Sequence, residues 1–214
     1  MSLEPLPSPL REAARRVRAL LLDVDGVLTD GRLHYGAEGE ALKVFHVRDG
    51  LGIKLLAQEG VPVAVISARR SVPLERRLEE LGVREALLGR EQKLGALEEV
   101  LARLGLEPSE IAYVGDDLVD LPVMRRVGLA ITVADGHPLV RAEAAWVTRR
   151  GGGQGAVREI ADALLEARDR LEAACEAYLD AAGGAASDRG RDLEPRGPRA
   201  GGPGADPGPD RGSP

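Results

Sequence analysis

Acidic side chains stand directly after two apolar segments of the chain. Asp23 and Asp25 follow the leucines at 20–22, and Asp116 follows the segment IAYVG at 111–115. Side chains two positions apart in a strand point to the same face, and like charges held that close repel unless a cation neutralises them. The simpler explanation is a strand that ends in a polar turn. The chemical explanation is a hard cation such as Mg²⁺, which prefers oxygen ligands.

A hydroxyl group and an ammonium group stand at comparable positions. Ser67 ends the apolar segment VPVAVIS, and Lys93 begins the helix-like segment that precedes 111–115. Both side chains can bind phosphoryl oxygens, and a lysine also neutralises their charge. An aspartate can attack phosphorus, while a second carboxylate can protonate the leaving oxygen and later activate water. The ordered set DxD, Ser, Lys and GDDxxD therefore predicts phosphoryl transfer through an aspartyl-phosphate.

Lysine is rare in this chain. Of the 29 basic residues only Lys43, Lys54 and Lys93 are lysines, so arginine serves as the ordinary positive charge. A remaining lysine can mark a place where a compact ammonium fits and a planar guanidinium does not. We expect this above all of Lys93, and we expect Lys43, in a hairpin, to tolerate arginine. Chance retention of the three lysines is the alternative.

Apolar strand-like segments alternate with helix-like segments along the chain. This alternation predicts an α/β fold, a Rossmann-like parallel sheet with helices on both faces. Ligands of such sheets bind beyond the carboxyl ends of the strands, where the polar residues above should converge. The predicted strands are 17–24, 61–67, 111–117, 129–135 and 146–148, and the predicted helices are 50–59, 73–82, 91–104, 118–126, 137–143 and one from about 155 to 180.

The segment 31–46 departs from this alternation. Two short alternating runs, at 32–35 and 41–46, flank the turn-like GAEGE and predict a β-hairpin that projects from the domain. Tyr35 and Phe45 lie on it. Apolar residues on a projecting hairpin suggest a surface for a partner, and the alternative is a hairpin folded back on its own domain.

Composition limits the classes of protein. A formal net charge of -6 argues against a nucleic-acid binder, which would carry a basic patch. No apolar run approaches the roughly 20 residues of a membrane span. The N-terminal residues contain Glu4 and several prolines instead of an apolar signal core, and Cys175 is the single cysteine. We therefore expect a cytoplasmic protein without membrane or nucleic-acid partners.

Composition also divides the chain into three parts. Residues 1–16 are predicted to be an N-terminal tail that runs into a short helical stretch, and residues 17–180 to be the folded domain. Residues 181–214 are rich in glycine and proline and have little apolar surface to bury. We expect this last part to be a disordered tail.

The ordered motifs resemble those of the haloacid dehalogenase-like phosphatases, and in particular the family of 3-deoxy-D-manno-octulosonate 8-phosphate phosphatases on the pathway to lipopolysaccharide. The resemblance covers about residues 17–170. It implies a capless, Mg²⁺-dependent enzyme for a small sugar phosphate. It also implies a homotetramer that assembles through the hairpin 31–46, in which a neighbouring subunit helps to close the active site. The matching stretches are DVDGVLTDG (23–31), FHVRDGLGIK (45–54), ISARRS (66–71), GREQK (89–93), AYVGDDLVDLPVM (112–124), VADGHP (133–138) and GGGQGAVRE (151–159).

The resemblance implies roles for individual residues. Asp23 would be the nucleophile and a metal ligand. Asp25 would be the acid/base, with its main-chain carbonyl on the metal, and Asp116 would be the other protein ligand. Ser67 and Lys93 would hold the phosphoryl oxygens. A basic cluster suits a sugar acid, and the residues expected to contact the substrate are Asp25, His46, Val47, Arg48, Asp49, Gly50, Lys54, Arg69, Arg77 and Lys93.

Departures from the family's pattern leave alternatives open. His46 stands where asparagine is common and Lys54 where arginine is common, so a related acidic sugar phosphate, such as a nonulosonate 9-phosphate, is an alternative substrate. A phosphatase-like module that only forms tetramers is a second alternative, against which the retained catalytic set argues. A phospho-receiver domain is a third, but its lysine would follow its acidic residues, whereas Lys93 precedes the second acidic cluster.

Asp117 and Asp120 permit two interpretations. They could orient Lys93 or water bound to a metal. They could equally be a helix N-cap and a solvated charge in the first helical turn.

Overall fold

The computed structural model describes residues 6–189, with side chains described as far as residue 183. The chain divides after Tyr178 into two units, and the sheet and the candidate site both lie in the first. Within the described part, no helix is both long and apolar enough to cross a membrane.

Two sheets are present in the described residues, a parallel sheet of six strands and a two-stranded antiparallel hairpin. The parallel strands are almost wholly apolar because helices cover both faces of their sheet. Numbered along the chain, the strands are β1 (Ala19–Leu22), β2 (His34–Gly36), β3 (Gly39–Leu42), β4 (Val63–Ser67), β5 (Glu85–Leu88), β6 (Ile111–Gly115), β7 (Leu129–Thr132) and β8 (Trp146–Val147).

The strand order of the parallel sheet is β5-β4-β1-β6-β7-β8. From β1 the chain proceeds to one edge through β4 and β5, then crosses back to β6 and proceeds to the other edge. Leu22 of β1 pairs with Val65 of β4 on one side and with Val114 of β6 on the other. The direction of progression therefore reverses between β1 and β6, which is where doubly wound sheets bind their ligands.

Helices cover the sheet on both faces. Side chains of β1 alternate between two apolar clusters, with Leu20 and Leu22 in one and Ala19 and Leu21 in the other. The first cluster includes α1 (Ser8–Arg16), α2 (Val47–Gln58), α3 (Val72–Leu81) and α7 (Ala156–Ala167), and the second includes α4 (Lys93–Leu104), α5 (Leu121–Met124) and α6 (Pro138–Glu143). The last helix of the described residues is α8 (Leu171–Arg189). The predicted α/β fold is confirmed.

Three elements differ from the sequence prediction. Strand β5 was missed because its sequence EALL has helix-forming residues, and parallel pairing with β4 decides its conformation. The predicted last helix is two helices, since Asp169 takes a φ of 57° and its carboxylate pairs with Arg11 and Arg15 of α1. The helical stretch expected at the end of the N-terminal tail is present as α1, which packs on α7. Residues 181–189 of the expected disordered tail lie in α8, and 190–214 lie outside the described residues.

The predicted hairpin is present as β2 and β3, and its two aromatic residues have different surroundings. Phe45 is half-buried against the core of its own domain, with the guanidinium of Arg77 6.0 Å from its ring centroid. Tyr35 is 64% exposed, and its hydroxyl accepts a hydrogen bond from Arg69 Nη1 at 3.1 Å. Leu42 and Val44 are also exposed. The hairpin thus contacts its own domain and still presents apolar surface.

Candidate active site

Polar side chains lie where three neighbouring strands end. Asp23 follows β1, Ser67 is the last residue of β4, and Asp116 follows β6. Because β4, β1 and β6 are adjacent and parallel, their carboxyl ends share one rim at the reversal of the strand order. Asp23 and Ser67 are buried and Asp116 is half-buried. The structure therefore brings these three predicted site residues to the same edge.

Lys93 is the first residue of α4, and its ammonium lies buried between two carboxylates. Its Nζ atom is 2.8 Å from Oδ2 of Asp23 and 2.7 Å from Oδ1 of Asp120. A buried ammonium is costly unless it is paired and hydrogen-bonded, and here two carboxylates pair with it. The contact with Lys93 engages Oδ2 of Asp23.

Asp120 is fully buried, and both of its oxygens accept hydrogen bonds. Oδ1 accepts from Lys93 and from the hydroxyl of Tyr113 at 2.6 Å. Oδ2 accepts from the backbone N–H of Asp116 at 2.9 Å and of Asp117 at 3.2 Å. Asp120 thus orients Lys93 and fixes the loop after β6. Asp117 is exposed and caps the following turn, since its carboxylate accepts from the next N–H at 2.8 Å.

The acidic cluster fits a divalent cation. One oxygen each of Asp23, Asp116 and Asp120 lie within 4.8 Å of one another. The hydrogen bonds of Asp120 engage both its oxygens, so Asp23 and Asp116 are the carboxylates that could hold the ion, as oxygen ligands suited to Mg²⁺. Gly26 makes room for this arrangement, because a Cβ there would lie 2.1 Å from Oδ2 of Asp116.

Crowding of the carboxylates changes their acidity. Burial, and next the charge of Asp120, raise the pKa of Asp23 from 3.8 to about 6. Burial, and next the charge of Asp23, raise the pKa of Asp116 from 3.8 to about 7. Burial opposes the charge of Lys93, but the Asp23 and Asp120 carboxylates outweigh it and raise the pKa of Lys93. One ammonium does not neutralise the cluster, which favours a second positive charge there.

Asp25 points to a different set of partners, which the sequence analysis missed. Its Oδ1 is paired with Nζ of Lys43, and its Oδ2 lies 3.9 Å from Nε of Arg69. Lys43 is buried and also lies 2.7 Å from Oε1 of Glu40 in the hairpin. The expectation that Lys43 tolerates arginine rested on an exposed position, whereas this side chain is 1% exposed and its ammonium contacts two carboxylates. The rarity of lysine was the signal that could have identified it.

Comparisons with known proteins decide the family. A family of haloacid dehalogenase-like hydrolases matches residues 47–128. The 3-deoxy-D-manno-octulosonate 8-phosphate phosphatase KdsC of Yersinia pestis is 47% identical over 170 residues, which are 79% of this chain and 91% of that protein. This chain belongs to the KdsC family.

Solved structures of KdsC proteins share the fold. The crystal structure from Yersinia pestis has a TM-score of 0.74 at 48% identity and covers 76% of this chain and 88% of its own. The structure from Moraxella catarrhalis, in complex with a magnesium ion, a phosphate ion and a KDO molecule, has a TM-score of 0.77 at 38% identity. It covers 80% of this chain and 98% of its own.

The residues that the KdsC resemblance assigns to the sugar lie mainly around the start of α2. The N-cap of α2, His46, accepts from the N–H of Arg48 at 3.2 Å. Arg77 lies against Gly50, where an added Cβ would be 2.3 Å from its Nη2 atom. Val47, Arg48, Lys54 and Arg69 are exposed, so these groups are open to a ligand. Their contacts with a sugar stay predictions.

Asp49 differs from the exposed residues among the predicted sugar contacts of this KdsC chain. It is buried, and its carboxylate accepts from the backbone N–H of Gly155 at 3.2 Å and of Arg158 at 2.8 Å. Burial raises its pKa, against these hydrogen bonds. Asp49 thus joins α2 to the start of α7. The glycine-rich loop 151–155, which precedes α7, packs on the loop that follows β1. The backbone N–H of Gly153 donates to the carbonyl of Val27 there at 3.0 Å.

Proposed function

We propose that this chain is a Mg²⁺-dependent phosphatase that hydrolyses 3-deoxy-D-manno-octulosonate 8-phosphate to the free sugar acid and phosphate, a step on the way to lipopolysaccharide. Membership of the KdsC family supports the substrate. The single observation that carries the chemistry is the rim of the sheet, where Asp23, paired with Lys93, lies beside Asp116.

In the first step Oδ1 of Asp23 attacks phosphorus and the bond from phosphorus to the sugar oxygen breaks. The leaving oxygen takes a proton from the carboxyl group of Asp25, so the sugar departs as a neutral alcohol. An acyl phosphate then links Asp23 to the phosphoryl group. Lys93 fixes Asp23 through Oδ2, and it neutralises charge on the phosphoryl oxygens together with a hydrogen bond from Ser67.

In the second step water attacks the phosphorus of the acyl phosphate. The Asp25 carboxylate takes a proton from this water, the bond between phosphorus and Asp23 breaks, and inorganic phosphate leaves. Asp25 has then regained the proton it gave, and Asp23 is again a carboxylate. The two carboxylates have separate partners, Lys93 for Asp23 and Lys43 for Asp25, which suits their separate roles.

Asp23, Asp116 and the main-chain carbonyl of Asp25 are the groups that would hold Mg²⁺. When bound, the ion supplies Lewis acidity that lowers the charge on the phosphoryl group. The protein fixes Asp116 through the loop that Asp120 anchors, and Gly26 leaves the space that this carboxylate occupies.

Three cations support an acidic sugar as the other half of the substrate. Arg69 is exposed and lies next to Asp25. Lys54 is exposed on α2, and Arg77 is half-buried on α3. A guanidinium binds a carboxylate with two parallel hydrogen bonds, which suits a sugar acid better than a neutral sugar.

We also propose that the enzyme works in the cytoplasm as a homotetramer that assembles through the hairpin 31–46. The exposed side chains of Tyr35, Leu42 and Val44 support this surface. A neighbouring subunit placed there would lie close to Arg69 and Asp25, because Tyr35 contacts Arg69.

Phosphate release from a panel of sugar phosphates, with and without Mg²⁺, tests the proposal. We expect turnover to require the metal and to be fastest with 3-deoxy-D-manno-octulosonate 8-phosphate. A nonulosonate 9-phosphate is the matched competitor, because it keeps the carboxylate and differs in sugar length. Faster turnover of that competitor would identify it as the substrate instead. Phosphate release that depends neither on Mg²⁺ nor on the identity of the sugar would contradict the proposed function.

A further inference from the structure

Lys43 is the most completely buried cation at the rim whose role the family resemblance does not supply. Its side chain is 1% exposed although it follows β3 of a projecting hairpin. Its Nζ atom contacts Oδ1 of Asp25 and lies 2.7 Å from Oε1 of Glu40. The hairpin therefore delivers an ammonium group to the carboxyl group that the proposed mechanism uses as acid and base.

The contact distinguishes the two oxygens of Asp25. Oδ1 is held by Lys43, whereas Oδ2 lies on the side of Arg69, with Nε 3.9 Å away. Arg69 is among the residues assigned to the sugar, so Oδ2 faces the half of the substrate that carries the leaving oxygen. The Asp25 side chain is 20% exposed, so Lys43 is the buried group that holds it.

We propose that Lys43 is a positioning residue, which fixes the Asp25 carboxyl group by Oδ1 so that Oδ2 is presented to the oxygen of the departing sugar. The inference rests on the proposed phosphatase function. A positioning role of Lys43 and a purely structural role of the Lys43–Glu40 pair predict different results. If Lys43 positions Asp25, loss of Lys43 should slow proton delivery to the leaving group more than it affects folding or substrate binding.

The prediction follows from the balance of the first step. When the phosphorus–oxygen bond breaks, a sugar alkoxide needs the proton of Asp25, because an alkoxide is a poor leaving group in water. A nitrophenolate is stable without that proton and can leave unassisted. Misplacement of Asp25 should therefore slow the first step with a sugar phosphate and spare the first step with a nitrophenyl phosphate, which kcat/KM reports. Hydrolysis of the acyl phosphate is common to both substrates.

The experiment compares Lys43→Met with the wild type on 3-deoxy-D-manno-octulosonate 8-phosphate and on 4-nitrophenyl phosphate. We expect kcat for the sugar phosphate to fall at least tenfold and at most by the factor of about 10²–10⁴ that general acid–base catalysis contributes. KM for the sugar phosphate should stay within about threefold, because the residues assigned to the sugar are unchanged. The nitrophenyl phosphate should lose less than threefold in kcat/KM. The inference requires both results, the fall in kcat at nearly constant KM on the sugar phosphate and the smaller loss on the nitrophenyl phosphate.

Glu40 would be left without its cation in Lys43→Met, so the double variant Lys43→Met/Glu40→Gln removes that buried charge and should show the same split with better folding. Arg103→Met is the matched control, since it removes an exposed cation at the far end of α4. An equal loss of kcat/KM on both substrates, a rise in KM for the sugar phosphate with kcat unchanged, or full activity of folded Lys43→Met would overturn the inference. A wild type that is inactive on the sugar phosphate but active on the nitrophenyl phosphate would instead overturn the proposed substrate.

Discussion

Replacement of Lys93 by arginine should remove most of the phosphatase activity, although the charge is retained. The Lys93 side chain is 2% exposed, and its Nζ atom donates to Asp23 and Asp120 at 2.8 Å and 2.7 Å. A guanidinium is larger and planar, with donors in fixed directions, so it cannot occupy the same point between two carboxylates. It must displace Asp23, Asp120 or the phosphoryl group.

The size of this effect can be worked out in two parts. A shift of the attacking oxygen by about 1 Å costs on the order of a hundredfold in rate. Overpacking of a buried site costs about 1–3 kcal/mol, which for a domain of this size corresponds to a decrease in Tm of about 2–12 °C. Lys93→Arg should therefore be folded at assay temperature and still lose about a hundredfold in kcat.

The assay is phosphate release at saturating Mg²⁺, with Tm measured on the same preparations. Arg103→Lys is the control, because Arg103 is an exposed residue on α4 that pairs with Glu85 at 3.2 Å, and exposed ion pairs contribute little. Both variants exchange one basic residue for the other on one helix. If kcat of Lys93→Arg stays within threefold of the wild type, the compact ammonium is not required and the argument fails.

Three further predictions concern the acidic cluster and the hairpin. Asp23→Asn should abolish phosphate release without lowering the Tm of the metal-free protein, and activity within tenfold of the wild type would contradict its role as the nucleophile. Mg²⁺ should raise Tm more near pH 8 than near pH 5. In the folded metal-free chain the pKa values of Asp23 and Asp116 are raised to about 6 and about 7. Between about pH 4 and pH 7 the folded chain therefore holds protons that the unfolded chain has lost, and the free energy of unfolding of the metal-free protein falls as pH rises. Equal shifts of Tm at both pH values would refute that coupling. Leu42→Asp together with Val44→Asp should lower both oligomer mass in light scattering and turnover, and a monomeric variant with full activity would exclude the hairpin as a functional interface.

The central strands could be predicted from the sequence because burial on both faces leaves continuous apolar segments. Strand β5 could not, since EALL has no β-branched residue and only its pairing with β4 makes it a strand. The break after α7 also has no local signal, as no glycine or proline marks it. Asp169 adopts its left-handed conformation there in contact with arginines of α1, which is a tertiary effect.

The candidate site was predictable to the extent that parallel topology brings strand ends together. Asp23, Ser67 and Asp116 converge for that reason. The partners of the side chains were not predictable in the same way. Asp117 and Asp120 are near neighbours in sequence, yet Asp117 is exposed and caps a turn, whereas Asp120 is fully buried and holds Lys93. For Lys43 the scarcity of lysine was informative, but its place in a hairpin favoured an exposed position.

The carboxylates that could hold the cation come from segments far apart in sequence, and they meet only where β1 pairs with β6. Because Leu22 and Val114 are paired immediately before Asp23 and Asp116, the ion can bind only while the centre of the sheet is closed. The edge strands β5 and β8 contribute neither carboxylate and can open locally without removing them. Divalent-ion affinity would thus report the integrity of the two middle strands. Spectroscopic measures of total secondary structure would report the edge strands as well. If unfolding starts from an edge, the spectroscopic signal would fall before the affinity for the divalent ion does.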